Sequence, residues 1–282
     1  MGEDERVDDR AERWRADLAS WAIPEPILRA VDRSPWTLPR QAFARRAERQ
    51  VAAPEGVSFE LAAEALRPGG TVLDVGSGAG AASLPLAPWA SGTVAVDESE
   101  GMLDTLRAMA ANLGVPVRLV RGRWPDVAAE VEPVDVVVCH HVFYNVPDLP
   151  EFATALTDHA RRRVVVEMTP RHPMTLLNPL WQRLHGLDRP DRPTADDAVE
   201  LLRTLGLNPR VQRWRRPVQP EFGSFAEMVD TTARRLCLPP DRNPDVADAL
   251  RDLGVDPDGE PYLGPPVREL VTVSWDGSAP AA

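Results

Sequence analysis

The sequence predicts an α/β protein with a mostly parallel sheet and a helical cap, and three observations carry that reading. Short apolar runs at 71–75, 92–96, 116–121, 134–139 and 163–168 alternate with helical patterns at 81–90, 99–113 and 149–160. Strands separated by helices call for a parallel sheet with right-handed crossovers. The first run, Thr71-Val72-Leu73-Asp74-Val75, passes straight into Gly76-Ser77-Gly78-Ala79-Gly80. The second, Thr93-Val94-Ala95-Val96, ends on Asp97, about 20 residues past the glycine turn, where an acid usually meets ribose hydroxyls.

The elements follow in order. Trp14, Leu18 and Trp21 recur at helical spacing within 8–22, and Pro24 and Pro26 end that helix. Further helical stretches are expected at 27–31, 41–51 and 59–66, the last closed by Pro68-Gly69-Gly70. Met102, Leu106, Met109 and Leu113 are the expected apolar face of the helix at 99–113. After Glu167 a Pro-punctuated loop leads to a short helix at 179–186. Thr194, with Asp197 three residues on, caps a helix running to about Leu205. A strand at 211–218, helices at 224–237 and 243–253, and a strand at 268–275 complete the chain. The division expected is a helical cap at 1–70, a nucleotide-binding core at 71–218, a helical insert at 219–266, a last core strand at 267–276 and a flexible tail at 277–282.

Composition narrows the class. At 282 residues the chain can bury one good core with a small second lobe, and 43% hydrophobic residues suit a globular protein. A net charge of −11 argues against a nucleic-acid partner. All 32 basic residues are arginine, so lysine Schiff-base chemistry is excluded. Two cysteines, Cys139 and Cys237, are too few for a disulfide framework or a Cys-rich zinc site. The charged N-terminus has no apolar core of a signal peptide, and no run of 18 apolar residues occurs. A cytoplasmic protein without a membrane partner is expected; the oligomeric state is open.

The glycine turn predicts a nucleotide site at a strand-to-helix junction. Gly76, Gly78 and Ala81 also satisfy the loose dinucleotide pattern. Asp74 discriminates, because a carboxylate two residues before the first glycine would repel a pyrophosphate and attract an ammonium group. S-adenosylmethionine carries an ammonium group next to its nucleoside.

The chain resembles the class I, Rossmann-like S-adenosylmethionine-dependent methyltransferases, small-molecule type. The matching residues are Val72-Leu73-Asp74-Val75-Gly76-Ser77-Gly78-Ala79-Gly80, Val94-Ala95-Val96-Asp97 and Val136-Val137-Val138-Cys139-His140-His141-Val142, followed by Asn145-Val146-Pro147-Asp148-Leu149. The resemblance implies a seven-stranded sheet whose last strand is antiparallel, with 209–217 and 268–275 forming a final pair interrupted by the insert. It implies S-adenosylmethionine as cofactor, held by Asp74, Gly76, Ser77, Gly78, Gly80, Asp97, Glu98, Met102 and His140. Family members often carry an acid for the adenine amino group after the third strand; here Arg123 and Trp124 stand in that neighbourhood. Stacking or a backbone contact would then replace the acid.

His140 and His141 end the fourth strand, where ligands of open α/β sheets bind. Strand neighbours point to opposite faces, so one would line the cofactor and the other the acceptor. His141 is the preferred candidate base, with Tyr144 an alternative in the same loop. Methyl transfer to a good nucleophile needs alignment and no base, so both can instead only shape the pocket. His141, Glu167 and His172 are a weaker candidate metal set, and no metal is expected. Trp14, Trp21, Trp36 and Trp181 fall in segments suited to an acceptor site, although packing accounts for any single one. The expected activity is methyl transfer to an O, N or C nucleophile of a small molecule. An RNA or protein methyltransferase, a non-catalytic binding protein and an NAD-binding dehydrogenase are the alternatives.

Overall fold

A computed structural model describes residues 3–29, 31–32, 34–36, 40–218 and 222–280. Four helices come first: α1 (Glu3–Ala19), α2 (Glu25–Leu28), α3 (Arg40–Ala52) and α4 (Val57–Leu66). The alternating part holds β1 (Gly70–Val75), β2 (Ala90–Asp97), α5 (Glu100–Leu113), β3 (Val117–Arg121), β4 (Val134–His140), α6 (Leu149–Asp158) and β5 (Ala160–Met168). Then come α7 (Asn178–His185), α8 (Ala195–Thr204), β6 (Arg210–Pro217), α9 (Phe225–Arg235), α10 (Asn243–Asp252) and β7 (Val267–Asp276).

The seven strands form one sheet in the order β3-β2-β1-β4-β5-β7-β6. β1 to β5 are parallel, and β7 runs antiparallel between β5 and β6. The expected pair of 209–217 with 268–275 is therefore present, with α9 and α10 inserted between its strands. Strand order reverses between β1 and β4, which places the ligand crevice above the carboxyl ends of those two strands.

The two-residue period of the strands divides the core. Leu73, Val75, Val137, Cys139, Val164, Val166, Val271 and Val273 pack on one face against α6, α8 and Trp14 of α1. Val72, Val136, Val138 and Val165 pack on the other against Ala62, Ala63 and Leu66 of α4. A second cluster joins Trp21 and Ile23 to Leu180 and Trp181 of α7, Met228 of α9, and Val246 and Leu250 of α10. The insert thus shares its core with α7 and with the segment following α1. The Thr194–Asp197 capping box is present: Thr194 Oγ1 accepts from Asp197 N, and the Asp197 carboxylate accepts from Thr194 N at 2.7 Å.

Three expectations are corrected. Residues 81–90 do not form an α-helix; they make successive turns with a 3-10 segment at Leu84–Leu86. Pro85 and Pro88 lack the amide hydrogens that an α-helix would need there. On α5 the buried stripe is Leu103, Leu106 and Ala110, while Leu113 is exposed and Met102 half-buried. The tail is held as far as Ala279: Gly277, Ser278 and Ala279 donate backbone hydrogen bonds to Arg162, Thr157 and Ala160 carbonyls. Residues 281–282 of that tail lie outside the described residues.

Candidate functional site

The crevice is built first by the glycine turn. Gly76, Gly78 and Gly80 have φ of 70°, 52° and 86°, values that favour glycine. Gly76 N and Ser77 N donate to Val96 O at 2.9 and 3.0 Å, which fastens the turn over the end of β2. A Cβ on Gly76 would run into Val142 Cγ2, so the loop after β4 lies directly against the turn. Phe43 of α3 stands over Gly78, its Cδ1 at 3.7 Å from where a Cβ would sit.

Asp97 ends β2 half-buried, and its carboxylate accepts from Gly78 N and Ser99 N, both at 2.8 Å. A carboxylate offers about four lone-pair sites, so acceptor capacity remains for ribose hydroxyls. Asp74 is buried and accepts from Ser83 Oγ at 2.5 Å. Burial, with Asp97 adding to it and Ser83 opposing, raises its pKa to about 7. The Ser77 hydroxyl is buried without a partner. An orphaned hydroxyl, an exposed Gly76 and two acids around one turn fit a polar nucleoside ligand. Glu98 is exposed beside Asp97, and Met102, off the core stripe in the first turn of α5, is free to meet a base.

Two adenine-side candidates come out differently. Trp124 is buried in the main core, edge-on to His159 at 4.8 Å between ring centroids. His159 lies at the start of β5, at the opposite end of the sheet from the crevice, so Trp124 is not an adenine platform. Arg123 is exposed.

The second half of the crevice is a polar group at the ends of β4 and β5. His140 pairs in register with Glu167. His141 was expected to face away from His140, but it has left the strand. Its φ of 62° turns the ring back so that Nε2 lies 3.0 Å from Glu167 Oε1. Arg46 of α3 reaches the same oxygen at 3.5 Å. Burial alone would raise the Glu167 pKa; His140, the bonded His141 and Arg46 overrule it and hold it well below the ordinary value. Burial first, then Arg46, lowers His141 to about 4 against the pull of Glu167. His140 is lowered chiefly by burial, and its Nε2 is buried without a partner. At neutral pH the pair is thus a carboxylate and a neutral imidazole. A carboxylate only accepts, so His141 Nε2 donates, and Nδ1 keeps the basic lone pair.

Tyr144 is corrected as a catalytic candidate. Its hydroxyl donates to Thr169 O at 2.8 Å, its ring stacks on Trp14, and burial raises its pKa further from neutrality. His172 stacks on Trp21 at 4.2 Å, and its Nδ1 accepts from Met174 N. Among the described residues, no group of three or more His, Cys, Asp or Glu could hold a metal ion, and no helix is long and apolar enough to cross a membrane.

Sequence reasoning considered Glu167 only as a metal ligand and did not single out Arg46. A signal for Glu167 was available, since an acid closing Val164-Val165-Val166 must be paired once buried. Arg46 carried none, being one of 32 arginines whose partner lies 121 residues away.

The fold is that of the class I, Rossmann-like methyltransferases, and the cradle suits S-adenosylmethionine as methyl donor. Residues 72–163 match the family described as a methyltransferase domain. The chain is 24% identical over 173 residues to the uncharacterized methyltransferase YcgJ of Bacillus subtilis, covering 58% of this chain and 67% of that one. It is 33% identical over 102 residues to the protein-L-isoaspartate O-methyltransferase of Methylorubrum populi, covering 35% of this chain and 46% of that one. The solved structure of a putative sarcosine dimethylglycine methyltransferase from Galdieria sulphuraria covers 96% of this chain and 98% of its own. Its TM-score of 0.51 at 13% identity is a likeness of fold.

Proposed function

We propose that this methyltransferase acts on a small molecule, methylating an O, N or C nucleophile, with His141 as the general base. The observation that carries the reading is the buried His141–Glu167 pair beside the glycine turn, covered by α3. S-adenosylmethionine supplies an electrophilic sulfonium methyl when bound; the remaining tasks fall to side chains. The exposed backbone of the glycine turn and the Ser77 hydroxyl seat the nucleoside, Asp97 accepts from the ribose hydroxyls, and Met102 covers the base. Asp74 balances the ammonium group through an intervening water. His141 Nδ1 accepts the acceptor's proton while Glu167 holds the ring and steadies the imidazolium. Covered by α3, such a site suits a small acceptor better than an RNA or protein surface, and the net charge of −11 disfavours RNA.

Calorimetry should show S-adenosylhomocysteine binding and no NAD binding. Asp97→Ala should weaken the former by about 10–100-fold, the cost of losing hydrogen bonds to a charged acceptor. Incubating the enzyme with methyl-labelled cofactor and a fractionated cell extract should place label in the dialysable fraction; label only in protein or RNA would overturn the small-molecule reading.

Asp74 gives this binding a pH dependence. With its pKa raised to about 7, the empty cradle is partly protonated at neutral pH. A bound ammonium group favours the carboxylate and expels that proton, so affinity rises with pH, by at most about tenfold per unit below the pKa. Calorimetry between about pH 6 and 8 in buffers of different ionisation enthalpy should show proton release. An affinity flat across that range would remove Asp74 from the ammonium site.

A further inference from the structure

The base end of the cradle lacks an acid for the 6-amino group. After β3, Arg123 is exposed and Trp124 is buried against His159. Asp126 lines a groove with Thr154 and Asp158, beside the start of β5. A different element reaches the base end, and it is α3. A Cβ at Gly101, in the first turn of α5, would lie 2.7 Å from Arg40 Nη1 and 3.2 Å from Arg40 Cδ. The Arg40 side chain therefore lies along Gly101, next to Met102 in the chain. Phe43, three residues on and on the same face of α3, stands over Gly78. Gly78 N and Ser99 N share the Asp97 carboxylate, so the turn and the start of α5 form one continuous rim. Arg46, three residues further, reaches Glu167 beside His141. One side of α3 thus follows the cradle from the start of α5 to the histidine end of β4.

The acids around Gly101 do not account for Arg40. Glu100 pairs with Arg121 and Asp104 with Arg107, while Asp97 serves the two amides of the rim. Glycine itself is out of place in the first turn of a helix, where alanine would be the better former. At position 101 it lets a guanidinium lie closer than any side chain would allow. Arg40 is exposed, so its planar face and its N–H donors stay open to a ligand on that rim.

We propose that Arg40 recognises the adenine base, its guanidinium laid against the base beside Met102 in place of the absent acid. A guanidinium carries donors only, so it meets the aromatic face and the ring nitrogens and makes no use of the 6-amino group. The inference rests on the placement of the base at Met102 in the reading above and adds the group that selects it.

Calorimetry with S-adenosylhomocysteine and S-inosylhomocysteine, which carries a carbonyl in place of the 6-amino group, tests this. The native protein should bind the two within about threefold of each other, whereas an acid facing the amino group would favour the first by more than about tenfold. Arg40→Ala should weaken both by about 5–20-fold. Arg40→Lys keeps the charge without the plane and should recover only part of that loss. Adenosine alone should weaken by the same factor as S-adenosylhomocysteine in Arg40→Ala, because the contact is with the base. Gly101→Ala displaces Arg40 without removing it. It should weaken both ligands by about 3–10-fold while the melting temperature does not fall, since alanine favours the helix. Native binding of S-inosylhomocysteine more than about tenfold weaker, or Arg40→Ala within about twofold of native for S-adenosylhomocysteine, would each overturn the proposal. No native binding of S-adenosylhomocysteine would overturn the cradle and the proposal together.

Discussion

Trp14→Ala should lower the unfolding free energy by about 3–5 kcal/mol, the usual cost of emptying a large buried aromatic site. Trp14 is only 2% exposed and sits in the same core as the strands β1, β4, β5 and β7. Its Nε1 donates to Val146 O at 2.8 Å, and its ring stacks on Tyr144. Alanine therefore removes the packing and leaves the Val146 carbonyl unanswered. Trp14→Phe keeps most of the volume and loses only the hydrogen bond, so it should cost about 1–2 kcal/mol. Urea unfolding of the three proteins tests this. A loss below about 1 kcal/mol for Trp14→Ala, with an unchanged m-value, would show α1 to be peripheral.

The same packing changes how the N-terminal segment is understood. The sequence suggests a helical cap whose tryptophans line an acceptor pocket. The structure divides those residues: Trp14 belongs to the sheet core, Trp21 to the second cluster, and Trp36 is 53% exposed. Removing residues 1–36 would open both clusters and unfold the chain rather than uncover a site. The helix that reaches the crevice is α3, through Phe43 and Arg46.

What could be read from the sequence follows a physical line. The sheet was legible because apolar strands and a glycine turn are local patterns, and Asp74 and Asp97 are tied to that turn by spacing alone. The helix expected at 81–90 is absent because Pro85 and Pro88 override the apolar period. Trp124 was placed by its neighbours in sequence, whereas its ring turns to the opposite end of the sheet. The His140 and His141 alternation failed because the rule holds only within a strand, and a left-handed φ at His141 ends β4 one residue early. Glu167 and Arg46 meet across a long sequence separation, which no local pattern encodes.

That contact carries the largest functional effect expected. Glu167→Gln should reduce turnover of the acceptor recovered in the labelling experiment by about 100–1000-fold, within the range of general-base catalysis. The argument is one of tautomers. In the native pair the carboxylate only accepts, which fixes the His141 proton on Nε2 and leaves Nδ1 basic. An amide has one oxygen, and Arg46 competes for it. The amide nitrogen then turns to His141 and donates to Nε2, so the proton moves to Nδ1 and the base is lost. Affinity for S-adenosylhomocysteine should stay within about threefold, which separates this from collapse of the crevice. In the native enzyme the rate should hold down to about pH 5 and fall as the pH drops through about 4, where His141 gains its proton. Stability shares that sign. His141 takes a proton more readily in the unfolded chain, so stability is complete above the unfolded pKa of about 6.5 and is lost as pH falls towards 4. A rate that halves near pH 6.5 would mean an ordinary solvated histidine, and Glu167→Gln turnover within about threefold of native would mean that methyl transfer here needs alignment alone.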